Sequence, residues 1–301
     1  MGAERLVVYT TWYPGVEPYL DAWGRSLRAQ TDPFFRLVVG VDGISPGEWV
    51  SRLGLDGRAR WVIAPSGASP ARVRQTALER VIEDADEVVF VDSDDILEPS
   101  RVAAAREGLA AFDVVGCALK LADETGADLG ETFGPAAGND VAADLPHYNV
   151  FGFSNSAYRT GTLRACLPIP DGCVLIDWLL ATRAWAFGAR LAFDATPRMI
   201  YRQGASSATR VSPPFSPRRV LEATDLVLGH YRIALENPPA LPTAAAASLS
   251  AARDRAERFR GAVLDSPETL ARYVDALNDL PPRLVWWWPV ANPELEHLWM
   301  N

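Results

Sequence analysis

The apolar runs Leu6 to Tyr9, Leu37 to Val41, Arg60 to Ile63 and Val88 to Val91 recur along the first third of the chain. Short runs of this kind, closed by turn residues, fit strands buried on both faces, as in a parallel sheet. Between them, Pro18 to Gln30 and Ala71 to Asp84 carry helical patterns. Connections as short as Asp42-Gly43 and Pro65-Ser66-Gly67 then predict an α/β layer structure whose loops gather at one sheet edge. Ligands of open α/β sheets bind at that edge, outside the carboxyl ends of the strands.

Further along, Arg101 to Phe112 reads as a helix and Val114 to Leu121 as a strand, whereas the Gly- and Asp-rich stretch Asp123 to Asp144 reads as loop. The segment His147 to Tyr158 mixes aromatic and small polar residues. A helix over Ile176 to Phe187 and a strand over Leu191 to Phe193 follow. From Ser212-Pro213-Pro214 onward the pattern changes to two or three helical segments, interrupted by Pro238 to Pro242. The expected organisation is a nucleotide-binding type of domain over 1–211 and a helical extension over 212–301. The extension ends in Trp286-Trp287-Trp288-Pro289, which either packs back onto its own domain or anchors the chain to a protein or membrane surface.

With 301 residues, 49% of them hydrophobic, the chain can bury one substantial core with an appendage. A net charge of -9 argues against a nucleic-acid partner, whose binding surface would be basic. Lys120 is the only lysine, so arginine supplies nearly all the positive charge and would make any phosphate contact. Cys117, Cys166 and Cys173 have neither disulfide-framework nor metal-ligand spacing, which fits a reducing, cytoplasmic setting. Nothing approaches the length of a membrane span, so a lipid-linked substrate would be met peripherally at the inner face of the membrane.

The candidate chemistry begins at Asp92-Ser93-Asp94-Asp95, three carboxylates at the end of the run Val88 to Val91. Oxygens so placed can hold a divalent cation against a substrate phosphate. The simpler reading makes one Asp a helix cap before Pro99-Ser100 and leaves the others solvated.

Taken with their order and spacing, several segments resemble a family-two glycosyltransferase with the GT-A fold, over roughly Leu6 to Arg210. The pieces are Thr10-Thr11-Trp12-Tyr13, Leu27-Arg28-Ala29-Gln30-Thr31, Val38 to Gly43, Ala71-Arg72, the Asp92-Ser93-Asp94 DxD element, Gly152 to Arg159, Ile176-Asp177-Trp178 and Tyr201-Arg202-Gln203. The resemblance implies a Rossmann-like nucleotide-diphospho-sugar transferase: a mixed sheet flanked by helices, with a C-terminal helical extension. It implies inverting transfer of a sugar, hexosyltransferase-like, from a nucleotide diphosphate-sugar donor to a hydroxyl on a saccharide, lipid-linked or small-molecule acceptor. Bacterial surface-polysaccharide, glycolipid or secondary-metabolite assembly is the implied setting, and Mn²⁺ or Mg²⁺ the implied cofactor.

Residue by residue, the resemblance places Thr10, Trp12 and Asp42 at the nucleotide base, Arg72 at the donor and Asp92 at the ribose. Asp94 and Asp95 fall at the metal, and Phe153, Ser154, Asn155 and Trp178 on the acceptor side. Arg202 falls beside the diphosphate and Asp177 at the general base. Each has a plainer reading: core packing for Trp12, a tight turn for Asp42-Gly43, a surface ion pair for Arg72, and a helix N-terminal acid for Asp177. The chain departs from the family pattern at Gly40, Val73, Ile176 and Gly204, where the family usually has an acid, Asn, Glu and His. Arg202, Ser206 or Ser207 are the candidates to fill the last role.

Two rivals follow from the same residues. Asp92-x-Asp94-x-Ile96 behind a strand is similar to the nucleophile motif of haloacid-dehalogenase-type phosphatases, with Lys120 and Asp140 or Asp144 as later motifs. A GT-A-like module that binds nucleotide or a partner without transferring sugar is the other.

Overall fold

The computed structural model describes residues 5–300 apart from 56, 137 and 205–210, and of Glu48 only the backbone. Strands β1 (Leu6–Trp12), β2 (Arg36–Val41), β3 (Ala59–Ile63) and β4 (Glu87–Phe90) pair in parallel in the order β3-β2-β1-β4. The helices between them are α1 (Glu17–Arg28), the short α2 (Gly47–Arg52) and α3 (Pro70–Asp84). This half follows the alternation legible in the sequence.

Beyond β4 the sheet becomes mixed. Strand β5 (Ile96–Leu97) and helix α4 (Arg101–Ala111) lead into β6 (Val114–Ala122) and its antiparallel partner β7 (Asp128–Phe133). Strand β7 and the short α5 (Val141–Asp144) occupy the stretch expected to be loop. Strand β8 (Ser156–Arg159), hidden in the aromatic and small-polar segment, inserts antiparallel between β4 and β6. Helices α6 (Thr160–Cys166) and α7 (Ile176–Ala186) precede β9, which runs over Leu191–Arg202 instead of ending at Phe193. It continues because Pro197, Met199, Ile200, Tyr201 and Arg202 pair with β6, and Met199 and Ile200 also with β5, a sheet contact that the polar sequence Asp194-Ala195-Thr196 does not announce. The full order is β3-β2-β1-β4-β8-β6-β9-β5, with β7 outside β6.

Residues 212–300 form α8 (Pro217–Glu236), α9 (Thr243–Asp265), α10 (Pro267–Asp279) and the 3₁₀ turn Pro293–Leu298. Ser216 and Ser266 cap α8 and α10 by accepting from Arg219 N and Thr269 N, each before a first-turn proline that needs no donor partner. Buried side chains of this segment and of the sheet belong to one contiguous core, so no gap in packing falls at 211/212. Trp286, Trp287 and Trp288 are buried within it, which corrects the idea of the tail as a free membrane or protein anchor: its rings are spent on the domain itself. Among the described residues no helix is long and apolar enough to cross a membrane. The three cysteines are free and buried.

The loop from Asn149 to Asn155 returns the chain to β8 beside the sheet edge. Asn155 organises it: its amide donates to Cys117 O at 2.7 Å and Val150 O at 2.9 Å, while its Oδ1 accepts from Gly152 N at 2.7 Å. Asn155→Ala would leave three buried backbone groups unpartnered. We expect a loss of roughly 2–4 kcal/mol of unfolding free energy, read from urea denaturation.

Candidate functional site

Asp92-Ser93-Asp94-Asp95 forms the turn between β4 and β5 at the carboxyl edge of the parallel strands. Ser93 pins it to β1 by donating to Thr11 O at 2.6 Å, and Asp95 N closes the turn on Asp92 O at 3.3 Å. Tyr13 OH donates to Asp94 Oδ2 at 3.0 Å. From β9, Arg202 N donates to Asp95 Oδ1 at 2.9 Å, while its guanidinium donates to Asp94 O and lies 5.1 Å from the Tyr19 ring centre. Ser154 Oγ touches Asp95 Oδ2 and sits 3.1 Å from Asp92 Oδ2. One hydroxyl proton serves one carboxylate, so a second proton is needed for both contacts. Burial, together with the charges of Asp94 and Asp92, raises the Asp95 carboxyl well above the ordinary range, which favours its holding that proton.

Asp177 lies in the first turn of α7, where the helix dipole favours an acid. Its Oδ1 accepts from Trp178 N at 2.8 Å and its Oδ2 from Asn149 Nδ2 at 3.3 Å. A cavity of about 530 Å³ is lined by Arg74, Asp92, Ser154 and Asp177 among others. Burial raises Asp177 to about 6, held down in part by Trp178 N and by Arg74. Burial and Asp94 likewise raise Asp92. Asp92 and Asp177 thus share one arginine, Arg74, in this cavity.

Several expected site residues lie elsewhere. Trp12 is wholly buried, edge-on to Trp23 at 6.0 Å and Trp61 at 4.9 Å, so its ring has no face for a nucleobase. Thr10 is also inside the sheet, with Oγ1 buried and unpartnered. Trp178 turns away from the cavity, stacks on His230 at 3.9 Å and donates Nε1 to Leu145 O at 2.9 Å, so it supports Asp177 from behind. Asn155 is fully buried and structural, as described above. Arg202 braces the acidic turn. Asp95 has both oxygens engaged and is 1% exposed, which leaves Asp94 as the acid with an oxygen to spare. Asp42 does reach the edge, its N donating to Trp12 O at 2.9 Å. Phe153 and Ser154 line the cavity. Ser206 and Ser207 lie outside the described residues.

Arg72 pairs with Asp171 at 3.3 Å on the surface, and Arg74 takes the cavity position, 4.7 Å over Phe153. The cause is helical geometry. Ala71, Val73, Gln75, Ala77, Leu78 and Val81 define the buried face of α3, and at about 100° per residue Arg74 falls at its centre and Arg72 opposite. The Arg74 Nε is buried without a partner. That periodicity was a usable sequence signal. Asn149, Trp286 and Trp287 also belong to the site, but only tertiary contact reveals them. The phosphatase constellation does not assemble: Lys120 pairs with Glu98 at 2.9 Å, Asp140 caps α5, and Asp144 pairs with Arg283 at 3.3 Å.

No group of three or more His, Cys, Asp and Glu side chains poised around a common metal position occurs among the described residues. The donor set still fits a hard cation of the Mg²⁺ type, which commonly takes one or two carboxylates and completes its shell with substrate phosphates and water.

No protein-family model and no curated protein sequence matches the chain. Among solved structures, it is similar to S. aureus TarS 1-349 in complex with UDP, at 16% identity and a TM-score of 0.54, over 86% of this chain and 71% of that one. It is also similar to the mannosyltransferase PcManGT from Pyrobaculum calidifontis in complex with GDP-Man and Mn²⁺, at 16% identity and a TM-score of 0.55, over 91% and 79%. Against the longer TarS chain, the likeness covers 93% of this chain and 50% of that one. The architecture is the GT-A fold: a mixed sheet flanked by helices.

The raised acid at 177 has a measurable consequence for stability. An unfolded Asp releases its proton near 3.8, whereas folded Asp177 holds it to about 6. Between those values the folded state binds more protons, so this residue's contribution to stability falls as pH rises and then levels. Asp177→Asn removes that cost. Its melting temperature should match wild type near or below about pH 3 and exceed it by a margin that grows to a plateau above about pH 7. A margin independent of pH would contradict the buried, raised carboxyl.

Proposed function

We propose that the protein is an inverting, metal-dependent glycosyltransferase that moves a sugar, a hexose in the simplest case, from a nucleotide diphosphate-sugar to a hydroxyl acceptor. The supporting observation is a single cavity lined by Asp92 of the acidic turn and by Asp177 of a separate element. The ligands named for the two similar structures, UDP in one and GDP-Man with Mn²⁺ in the other, favour the same donor class and a divalent cation.

Each residue has a defined task. Asp94 holds the cation, Mn²⁺ or Mg²⁺, with Asp92 beside it facing the ribose, and Asp42 at the strand edge accepts from the base. A bound cation offsets charge on the departing nucleoside diphosphate. Arg74, on the inward face of α3, pairs with the diphosphate or the donor sugar, where its buried Nε finds a partner. Asp177 accepts the acceptor's proton as the acceptor oxygen bonds to the anomeric carbon and the bond to the diphosphate breaks. The proton remains on Asp177 and the electron pair leaves with the nucleoside diphosphate. Asn149 and Trp178 N fix the carboxylate for that transfer. The free, buried cysteines agree with a cytoplasmic setting.

The non-catalytic reading is less well supported, because a binding module has no use for a buried acid raised to about 6 in the same cavity as Asp92. Nucleotide-sugar turnover separates the two. Asp177→Asn should lower kcat about 10²–10⁴-fold with donor Kd little changed. Wild-type kcat/KM should rise with pH through about 6, as Asp177 becomes ionised. Full activity in Asp177→Asn would remove it as base.

Calorimetric titration with UDP and GDP in the presence of Mn²⁺ tests the donor half. Asp94→Asn and Arg74→Ala should each weaken binding by tenfold or more, whereas Asp95→Asn, which keeps a group able to bond Ser154, and Arg72→Ala should change it less than twofold. The reverse ranking would overturn the assignment.

A further inference from the structure

We propose that the acceptor hydroxyl is carried on an apolar, ring-bearing body, an aglycone-type alcohol or phenol, and that the C-terminal tail builds the subsite that receives it. This rests on the transferase reading and names its acceptor class.

The accounting of polar groups favours it. Arg74, Asp92 and Ser154 supply the polar part of the cavity lining that the donor would use. The same cavity that holds Asp177 is otherwise lined in large part by Phe153, Val174, Leu226, Trp286 and Trp287. Most of the neighbouring polar groups are engaged: the Asn149 amide donates to Asp177 and Phe151 O, and Asp171 is paired with Arg72, while Trp286 Nε1 is the donor left without a partner. Trp178 Nε1 is committed to Leu145 O. A sugar acceptor would bring several hydroxyls besides the reacting one, and against the Phe153, Val174, Leu226, Trp286 and Trp287 side chains they would lose water with little to replace it beyond the Trp286 Nε1 donor. A body with one hydroxyl and an apolar ring loses nothing of that kind and gains from burial.

The tail is fixed in place for this purpose. Trp286 and Asn149 exchange both backbone hydrogen bonds, each at 3.2 Å, so the strand-like bridge that seats the Trp ring also holds the residue that orients Asp177. The Trp286 ring lies so close over Gly152 that a Cβ there would meet its Cη2 at 2.5 Å. Trp287 has a φ of 73°, an uncommon value for a bulky residue, which is tolerated where surrounding packing enforces it. Its ring runs nearly parallel to Trp178, 6.2 Å away, and borders the cavity. Val174, 71% exposed, extends the apolar wall to the mouth.

Calorimetric titration of the full chain, with UDP or GDP and Mn²⁺ present, would compare 2-naphthol with methyl α-glucopyranoside. The expected result is saturable binding of 2-naphthol and none of the glucoside. Val174→Asp and Leu226→Glu should each weaken 2-naphthol binding at least tenfold, with the unliganded melting temperature reporting that each variant is folded. Val174 is exposed, so at least that variant should keep the fold. Binding of the glucoside as tight as that of 2-naphthol, or 2-naphthol binding that is absent or indifferent to both substitutions, would overturn the proposal. Nucleotide binding measured in the same series separates the two levels. Its presence without 2-naphthol binding sinks the acceptor class, and its absence sinks the transferase reading beneath it.

Discussion

The Ser154 hydroxyl, set between Asp92 and Asp95, is the contact on which the site depends. Three carboxylates within four residues repel one another, and a turn carrying them would open unless the charge were divided. The structure divides it by environment. Asp95 is buried, which raises its carboxyl, Asp94 takes a phenol hydroxyl, and Asp92 lines the cavity with Arg74. Arg202 on β9 and Ser93 on the turn itself lock the result to both flanks of the sheet. What remains is a rigid edge with negative charge left over for a ligand to neutralise.

Asp177 owes its chemistry to burial rather than to a charged partner. Desolvation raises it, and two donors, Trp178 N and the Asn149 amide, keep it oriented. An acid raised toward neutrality by its surroundings is better matched to accepting a proton than a fully solvated one. Behind it, the Trp178–His230 stack is packed solid. Burial and the nearby Arg183 hold His230 at about 3, so the ring is neutral and serves as packing.

The sequence conveyed the parallel half of the sheet well, because β1, β2 and β4 carry buried apolar runs and α3 has a clear buried face. It conveyed the acidic turn for the same reason: charge directly after a buried strand marks a sheet edge. Strand β8 and the long β9 were hidden, since their sequences are short or polar and are fixed by neighbours in the sheet rather than by their own pattern. Resemblance by motif placed Arg72, Trp12 and Trp178 in the site, whereas three-dimensional packing assigned each to the surface or the core. Arg74 was recoverable from helical periodicity. Trp286 and Trp287, more than a hundred residues from Asp177, were not, because no local pattern reports a contact made only when the tail folds back.

In the proposed function, nucleotide, cation and acceptor meet at the cavity lined by Asp92 and Asp177. A crystal structure grown with Mn²⁺ and UDP or GDP tests this most directly. It should show an ion on Asp94, the diphosphate near Arg74, and the terminal phosphate directed toward Asp177. A nucleotide bound in a different cavity, or one whose phosphates point away from Asp177 with no ion at Asp94, would contradict it.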